Sequence, residues 1–345
     1  MELKKVLITG GAGFIGTHLA RQLLNEDKGR EIVSLDVRDP ERPVRGVTYL
    51  KHNVEDPFDL TIRGRFDIVY NLAAVHRTPG HAEFEYYETN VRGALNTVAY
   101  CARNGIDRLV FTSSIAVYGP SERPLTELSA LRPNSAYGRS KRIAEDIHTA
   151  WALADRSRRL RIVRPAVIYG AGENGNYTRL AKLLKRGLFV FPGRDDTRKA
   201  CGYVKELVRS IRFALNRPEQ VYLYNFASPH VPTTREICDH LVAVTGVSPP
   251  RGTLPLWILE TGARVFELLN AIGLRNEINR ERIHKLIYST NVVAQRLIDD
   301  GYTFAYPMRE AFLDWLADDP SIGNLPGVQL VPKRLISIEA EVVQD

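Results

Sequence analysis

The first half of this chain alternates short, β-rich apolar runs with segments of helix length, and that alternation decides its fold class. The runs are KVLITG (5–10), EIVSLD (31–36), FDIVYNLAA (66–74), RLVFTSS (108–114) and RLRIVRPAVIYG (159–170). Helical stretches stand between them, from Gly13 to about Glu26, around 84–104, and in the segment holding Tyr137 and Lys141. Within the runs the apolar residues are nearly continuous rather than alternating, as in parallel strands covered on both faces. Strands joined by right-handed helical crossovers make a doubly wound α/β sheet. After about residue 170 the pattern changes. A glycine-rich loop, GAGENGN (170–176), leads to a return segment at 201–215, the run VYLYNFAS (221–228) and a helix from about 233. A chain of 345 residues exceeds what one core usually supports. We therefore expect a sheet domain at 1–170 completed by 201–226, a smaller C-terminal lobe formed by 171–200 and 227–320, and a tail at 321–345.

The strongest local signal is KVLITGGAGFIGTHLARQLL (5–24). Gly11, Gly13 and Gly16 satisfy G-x-G-x-x-G, and Gly10, Gly13 and Gly16 satisfy the wider G-x-x-G-x-x-G. The turn follows a strand and opens a helix whose first residues are Phe14 and Ile15. A backbone free of side chains there can close tightly on a pyrophosphate, whose charge sits at the helix N-terminus. The next strand ends in Asp36, placed to accept hydrogen bonds from an adenosine ribose and to repel a 2′-phosphate. This predicts a Rossmann dinucleotide site that prefers NAD to NADP. Arg38 is placed to accommodate a 2′-phosphate, although a solvent-facing arginine is the simpler account. In PNSAYGRSKRIAED (133–146), Tyr137 and Lys141 are four residues apart and share a helical face. A neighbouring ammonium lowers a phenol pKa, so the pair can be a tuned acid/base. The spacing alone fits two surface residues equally well.

Net charge is +7 and the pI about 9.3, but the basic runs RSRRLR (156–161) and RPVR (42–45) are short and read as solvated surface rather than a nucleic-acid patch. Cys101, Cys201 and Cys238 are odd in number, far apart and without metal-ligand spacing, as expected for reduced thiols in a cytoplasmic protein that holds no metal. The N-terminus runs at once into a strand, so we expect no signal peptide. We find no window of eighteen uncharged apolar residues. The nearest, at 254–274, is broken by Glu260, Arg264 and Glu267 and reads as an amphipathic helix pair that packs on a core or a partner subunit.

Nine pieces now stand in order: GGAGFIG, SLD, HNVED, NLAA, TNVRGALN, FTSSIAVYG, YGRSK, RPAVIYG and YVKELV. Together they resemble the extended short-chain dehydrogenase/reductase family, in its NAD-dependent nucleotide-sugar epimerase/dehydratase branch. The likeness covers about 5–215 well and 216–320 loosely. It implies Tyr137 as catalytic acid/base, Lys141 as the partner that holds the nicotinamide ribose and lowers the tyrosine pKa, and Ser114 as the hydrogen-bond donor to the reacting sugar oxygen. It places Asn53 and Val54 at the adenine, Leu72, Ala73 and Ala74 along the cofactor cleft, and Asn90, Arg164 and Pro165 beside the cofactor. It puts His76 and Ser113 near the substrate, Asn176 near the sugar diphosphate and Phe191 at the nucleotide base. Lys199 stands where many relatives carry an arginine, and meets a phosphate as a point charge. Ile115 and Ala116 replace the Asp–Glu pair of the sugar dehydratases, which removes the acid and base that 4,6-dehydration needs.

The resemblance therefore implies an NAD-binding 4-epimerase of a nucleotide sugar, with UDP as the family's usual carrier, working through a transient 4-keto sugar. The alternative is a C4 ketoreductase or dehydrogenase of a nucleotide sugar or a sterol-like alcohol. A non-catalytic dinucleotide sensor is disfavoured because tyrosine and lysine are both present. Family members commonly pair through two helices from each subunit, and Leu95, Val98, Ile143, Ile147 and Trp151 are the apolar residues here that would serve a homodimer.

Overall fold

The structure, a computed structural model, describes residues 3–324 apart from 63, 78–79, 256, 259–260 and 262–286. Strands β1 (Lys5–Thr9), β2 (Glu31–Asp36), β3 (Val47–Lys51), β4 (Ile68–Asn71) and β5 (Arg108–Thr112) come first. A short strand β6 (Ser121–Leu125) precedes β7 (Arg159–Pro165), β8 (Val167–Tyr169), β9 (Phe191–Pro192), β10 (Cys201–Tyr203) and β11 (Val221–Phe226). Seven of these form one sheet in the order β3-β2-β1-β4-β5-β7-β11, parallel throughout. The order reverses between β1 and β4, which opens a crevice at their C-terminal ends, where doubly wound sheets bind ligands.

The apolar runs explain the sheet. β4 is buried along its whole length and β5 after its first residue, because helices cover both faces. On one face lie α1 (Phe14–Glu26) and α6 (Val204–Leu215), packed through Leu19, Leu23, Leu207 and Ile211. On the other lie α3 (Gly93–Arg103) and α4 (Ala136–Leu153), packed through Ala94, Tyr100, Ala144 and Trp151. A third apolar cluster, with Tyr169, Leu184, Leu241 and Trp315, holds α5 (Asn176–Lys185), α7 (Thr234–Thr245) and the helix Met308–Asp318.

Three local details depart from expectation. The edge strand β3 is half exposed and carries no continuous apolar run, so the pattern that marks its neighbours is missing. The helix expected over 84–104 is two helices, α2 (Glu83–Tyr87) and α3, joined by a π-helical turn at Glu88–Arg92. The run 159–170 divides at Ala166: β7 stays in the main sheet and β8 pairs with β10 instead. The amphipathic region 254–274 lies for the most part outside the described residues, as does the tail beyond residue 324. No helix among the described residues is long and apolar enough to cross a membrane. All three cysteines are free and buried.

Candidate active site

The glycine turn is built from close approaches. Gly10 has φ +70°, and a Cβ there would lie 2.7 Å from the Ala73 nitrogen on the neighbouring β4 segment. A Cβ on Gly16 would lie 2.5 Å from the Gly11 Cα, so α1 can sit against the turn only without a side chain. Gly13 differs. Its nearest neighbours would be the Gly10 carbonyl at 3.1 Å and the Arg38 guanidinium at 4.0 Å, which leaves the turn open on that side. Gly13 also starts α1 with no side-chain cap and no carboxylate in the first turn. The uncapped N–H groups at Phe14 and Ile15 therefore present the positive end of the helix to an anion. Asp36 accepts from the Ala12 nitrogen at 3.1 Å and from the Arg38 nitrogen at 3.3 Å, tying the end of β2 to the turn. Leu72, Ala73 and Ala74 continue from β4 along the same crevice, half buried, and the Leu72 nitrogen donates to Thr9. Asn53 keeps its amide near the chain, accepting from Glu55 at 3.2 Å, while Val54 is buried beneath Gly93.

Tyr137 and Lys141 stand on the first turns of α4, capped by Ser135, whose hydroxyl accepts from Gly138. A Cβ on Gly138 would lie 2.4 Å from the Ala116 carbonyl oxygen. That contact lets the helix start press against the 3-10 turn Ile115–Val117, which Ser114 caps by accepting from Ala116. The result is that the Ser114 hydroxyl stands beside the Tyr137 phenol. Gly138→Ala should therefore push α4 off the turn. A misplacement of about 1 Å costs on the order of 10²-fold in rate. Turnover should fall by that order with circular dichroism unchanged, and an unaffected turnover would dissociate this contact from catalysis.

The Lys141 side chain is 1% exposed. Its Nζ donates to the Thr112 carbonyl at 2.8 Å and lies 4.8 Å from the Phe111 ring centre. Burial, opposed by Glu145, pulls its pKa down to about 7. Burial raises the Tyr137 pKa above its ordinary value, and the Ser114 hydrogen bond opposes this without overcoming it. In this arrangement the Lys141 ammonium is directed to Thr112 and Phe111, and the rise at Tyr137 comes from burial. Ser113 is buried at the same strand end with no hydrogen-bond partner for its hydroxyl. His76 lies at the exposed rim, where desolvation and the charges of Lys141 and Arg77 lower its pKa against a hydrogen bond that its ring donates to the Ala74 carbonyl. The uncapped helix start, the open side of Gly13 and the orphaned Ser113 hydroxyl fit a dinucleotide lying from α1 to the end of β5.

Other expected site residues have different employment. Asn90 is 3% exposed at the centre of the π-helical turn. Its amide donates to Val75 and Ser140 and accepts from the Val75 nitrogen, leaving nothing for a cofactor. Ser140 in turn donates to the Tyr137 carbonyl at 2.9 Å, so Asn90 positions the tyrosine. Arg164 makes a bidentate pair with Glu145 at 2.8 and 2.7 Å and donates to Tyr118, all buried. It is a core ion pair and not a cofactor ligand. Arg164→Met removes the bidentate partner of the buried Glu145 carboxylate and leaves it Arg142 at 3.9 Å, which costs up to about 3–5 kcal/mol. Urea denaturation should show that loss while NAD affinity of the folded protein stays level. Pro165 is buried at the end of β7, in register with Phe226. Phe191 is 2% exposed, packed against Phe189 and under Arg235, so its ring is not offered to a base. Asn176 is exposed at the first position of α5. Lys199 donates to the Tyr288 carbonyl at 2.6 Å, with burial lowering its pKa to about 8. Thr112 and Ser140, which anchor Lys141 and Tyr137, were not singled out from sequence; Ser140 lies inside YGRSK, where a polar residue facing the protein was the only cue.

Comparison with known proteins accords with this geometry. The sequence model of the NAD dependent epimerase/dehydratase family matches residues 6–226. An Escherichia coli O157:H7 protein, N-acetyl-alpha-D-glucosaminyl-diphospho-ditrans,octacis-undecaprenol 4-epimerase, is 29% identical over 320 residues, covering 88% of this chain and 92% of its own. The UDP-N-acetylglucosamine 4-epimerase of Methanobrevibacter ruminantium M1, solved with UDP-N-acetylmuramic acid, superposes with TM-score 0.74 at 19% identity, over 93% of this chain and 99% of that one. An NAD-dependent NDP-hexosamine 5,6-dehydratase involved in tunicamycin biosynthesis superposes with TM-score 0.69 at 27% identity, over 92% and 98%.

Proposed function

We propose that this chain, which belongs to the NAD-dependent epimerase/dehydratase family, inverts C4 of a hexose or N-acetylhexosamine carried on a diphosphate, with a uridine nucleotide as the carrier. The observation that carries this reading is the meeting of the Tyr137 and Ser114 hydroxyls beside buried Lys141, at the edge of the dinucleotide crevice. NAD supplies the hydride acceptor and donor for C4. In its phenolate form Tyr137 takes the 4-hydroxyl proton as the C4–H bond breaks, becoming a neutral phenol, and returns it to the oxygen after the keto sugar has turned over. Ser114 hydrogen-bonds that oxygen throughout. The described parts of 171–200 and 227–320 would cover the sugar and its diphosphate from the C-terminal side, with Asn176 and Lys199 on that side. Ile115, buried in an apolar cluster, and Ala116 supply no acid or base for dehydration.

A lipid diphosphate is the second carrier to weigh, because the Escherichia coli relative is named for one and aligns along nearly the whole chain. The test is incubation of the purified protein with NAD and, separately, UDP-glucose, UDP-N-acetylglucosamine and N-acetylglucosaminyl diphosphoundecaprenol. The C4 epimer is read by NMR. We expect an epimer from a UDP-sugar with no net NADH. Epimer from the lipid substrate alone would move the carrier. Stoichiometric NADH without epimer would replace the epimerase with a dehydrogenase or ketoreductase.

We further propose a homodimer through α3 and α4. A groove of about 590 Å³ between them is lined by Leu95, Val98, Ala102, Ile147 and Trp151. Leu95 and Ile143 are 51% and 40% exposed, whereas Trp151, at 6%, belongs to the subunit's own core and adds little contact. Light scattering should give twice the chain mass at micromolar concentration, and Leu95→Glu should halve it. A monomeric parent would end this proposal.

A further inference from the structure

A second cavity, of about 520 Å³, lies between the C-terminal halves of α1 and α6, at the N-terminal ends of strands β5 and β7 and so at the opposite end of the sheet from the dinucleotide crevice. Six arginines line it, Arg30, Arg108, Arg159, Arg161, Arg212 and Arg217, against a single carboxylate, Glu26. Some of these have evident structural work. Arg30 caps the end of α1 at the Leu23 carbonyl and pairs with Glu26. Arg212 also pairs with Glu26, and Arg217 pairs with Asp300 at 3.3 Å.

The strand arginines are different. Arg108 and Arg159 are directly opposite in the parallel register of β5 and β7, a placement that costs stability for like charges. Arg161, two residues on, shares their face of the sheet. The side-chain donors of Arg159 and Arg161 go to backbone carbonyls, and no carboxylate lies within 4.0 Å of either among the described residues. Arg108 has only Asp107, at 4.0 Å. Arg161 is 3% exposed, and its Nε has no hydrogen-bond partner. Burial, with Arg159 and Arg108 adding to it against Glu219, brings its pKa down to about 10. Three clustered guanidinium groups are thus left short of counter-charge. The remaining wall includes an apolar strip of Leu19, Leu23, Val208 and Ile211, beside Gln22, Tyr70 and Asn216.

From this juxtaposition we propose that the cavity binds a small organic phosphate, its anionic group at Arg108 and Arg159 and its non-polar body along α1 and α6. Guanidinium forks match phosphate oxygens, and the apolar wall favours a ligand that is more than an inorganic ion. The site is independent of the reaction proposed above.

Phenyl phosphate serves as the probe, titrated calorimetrically into the NAD-saturated protein at fixed ionic strength, with inorganic phosphate alongside. One saturable site per chain is expected, tighter for phenyl phosphate than for phosphate and not displaced by excess UDP. R108Q/R159Q should weaken it at least tenfold with NAD affinity unchanged. Asn216→Asp, which puts a carboxylate at the exposed lip of the same cavity, should weaken it as well. No saturable binding, displacement by UDP, or equal binding in both variants would overturn the assignment.

Discussion

Tyr137→Phe is expected to cut turnover about 10²–10⁴-fold, the usual cost of removing a positioned acid/base. The variant keeps the ring, which packs near Tyr86 at 6.4 Å between centres, so fold and NAD affinity should be retained. The expectation rests on the phenol having a hydroxyl partner in Ser114 and no other base at hand. Ser114→Ala should lower turnover less, because the proton acceptor survives. Initial rates on whichever sugar the parent accepts, with NAD affinity measured by fluorescence quenching, are the readout. Near-full activity in Tyr137→Phe would reduce the Tyr–Lys spacing to a helix surface.

Lys141→Met should abolish turnover and weaken NAD binding while making the free protein more stable above all at neutral pH and below. The methionine keeps the volume and removes a buried cation. The sign follows from the lowered pKa. The folded lysine titrates near 7 and the unfolded one near 10.5. Between those values the unfolded chain binds more protons, so the contribution of Lys141 to stability improves as pH rises from about 7 towards 10.5. Below 7 the charged lysine is held without full solvation and its cost is complete. Thermal melts of parent and variant from pH 6 to 10 should converge as pH rises. A gap that widens instead would mean that the Thr112 carbonyl and the Phe111 ring compensate the charge fully. Since the resting phenol is raised by burial, turning the lysine amine from Thr112 towards the ligand is the change that would bring the pair into play.

The sheet was legible because burial on both faces leaves continuous apolar runs, and the glycine turn because its residues are dictated by backbone contact. β3 was not, since a half-exposed edge strand has no such run. The division at Ala166 was hidden because β7 and β8 are equally apolar and differ only in which neighbour they pair with. At the site, residue order sufficed to bring Tyr137, Ser114 and Lys141 together. It did not reveal that Asn90 and Arg164 spend their polar groups within the protein, because those partners, Val75, Ser140 and Glu145, come from other elements. Nor could spacing say where the lysine amine points, which is to the Thr112 carbonyl and the Phe111 ring.

The π-helical turn at 88–92 amounts to one residue too many for an unbroken α-helix. Each residue advances a helix by about 100°. The surplus therefore rotates α3 out of phase with α2 by roughly that angle, so the two segments point their apolar stripes in different directions. α2 can then turn Tyr86 towards Tyr137 while α3 turns Leu95 and Val98 to the groove beside α4. Deleting a single residue from 88–92 would restore regular winding and force both stripes onto one line. Such a shortened chain could keep one of these faces but not both, which makes this the position in the helix where a one-residue gap should be least tolerated.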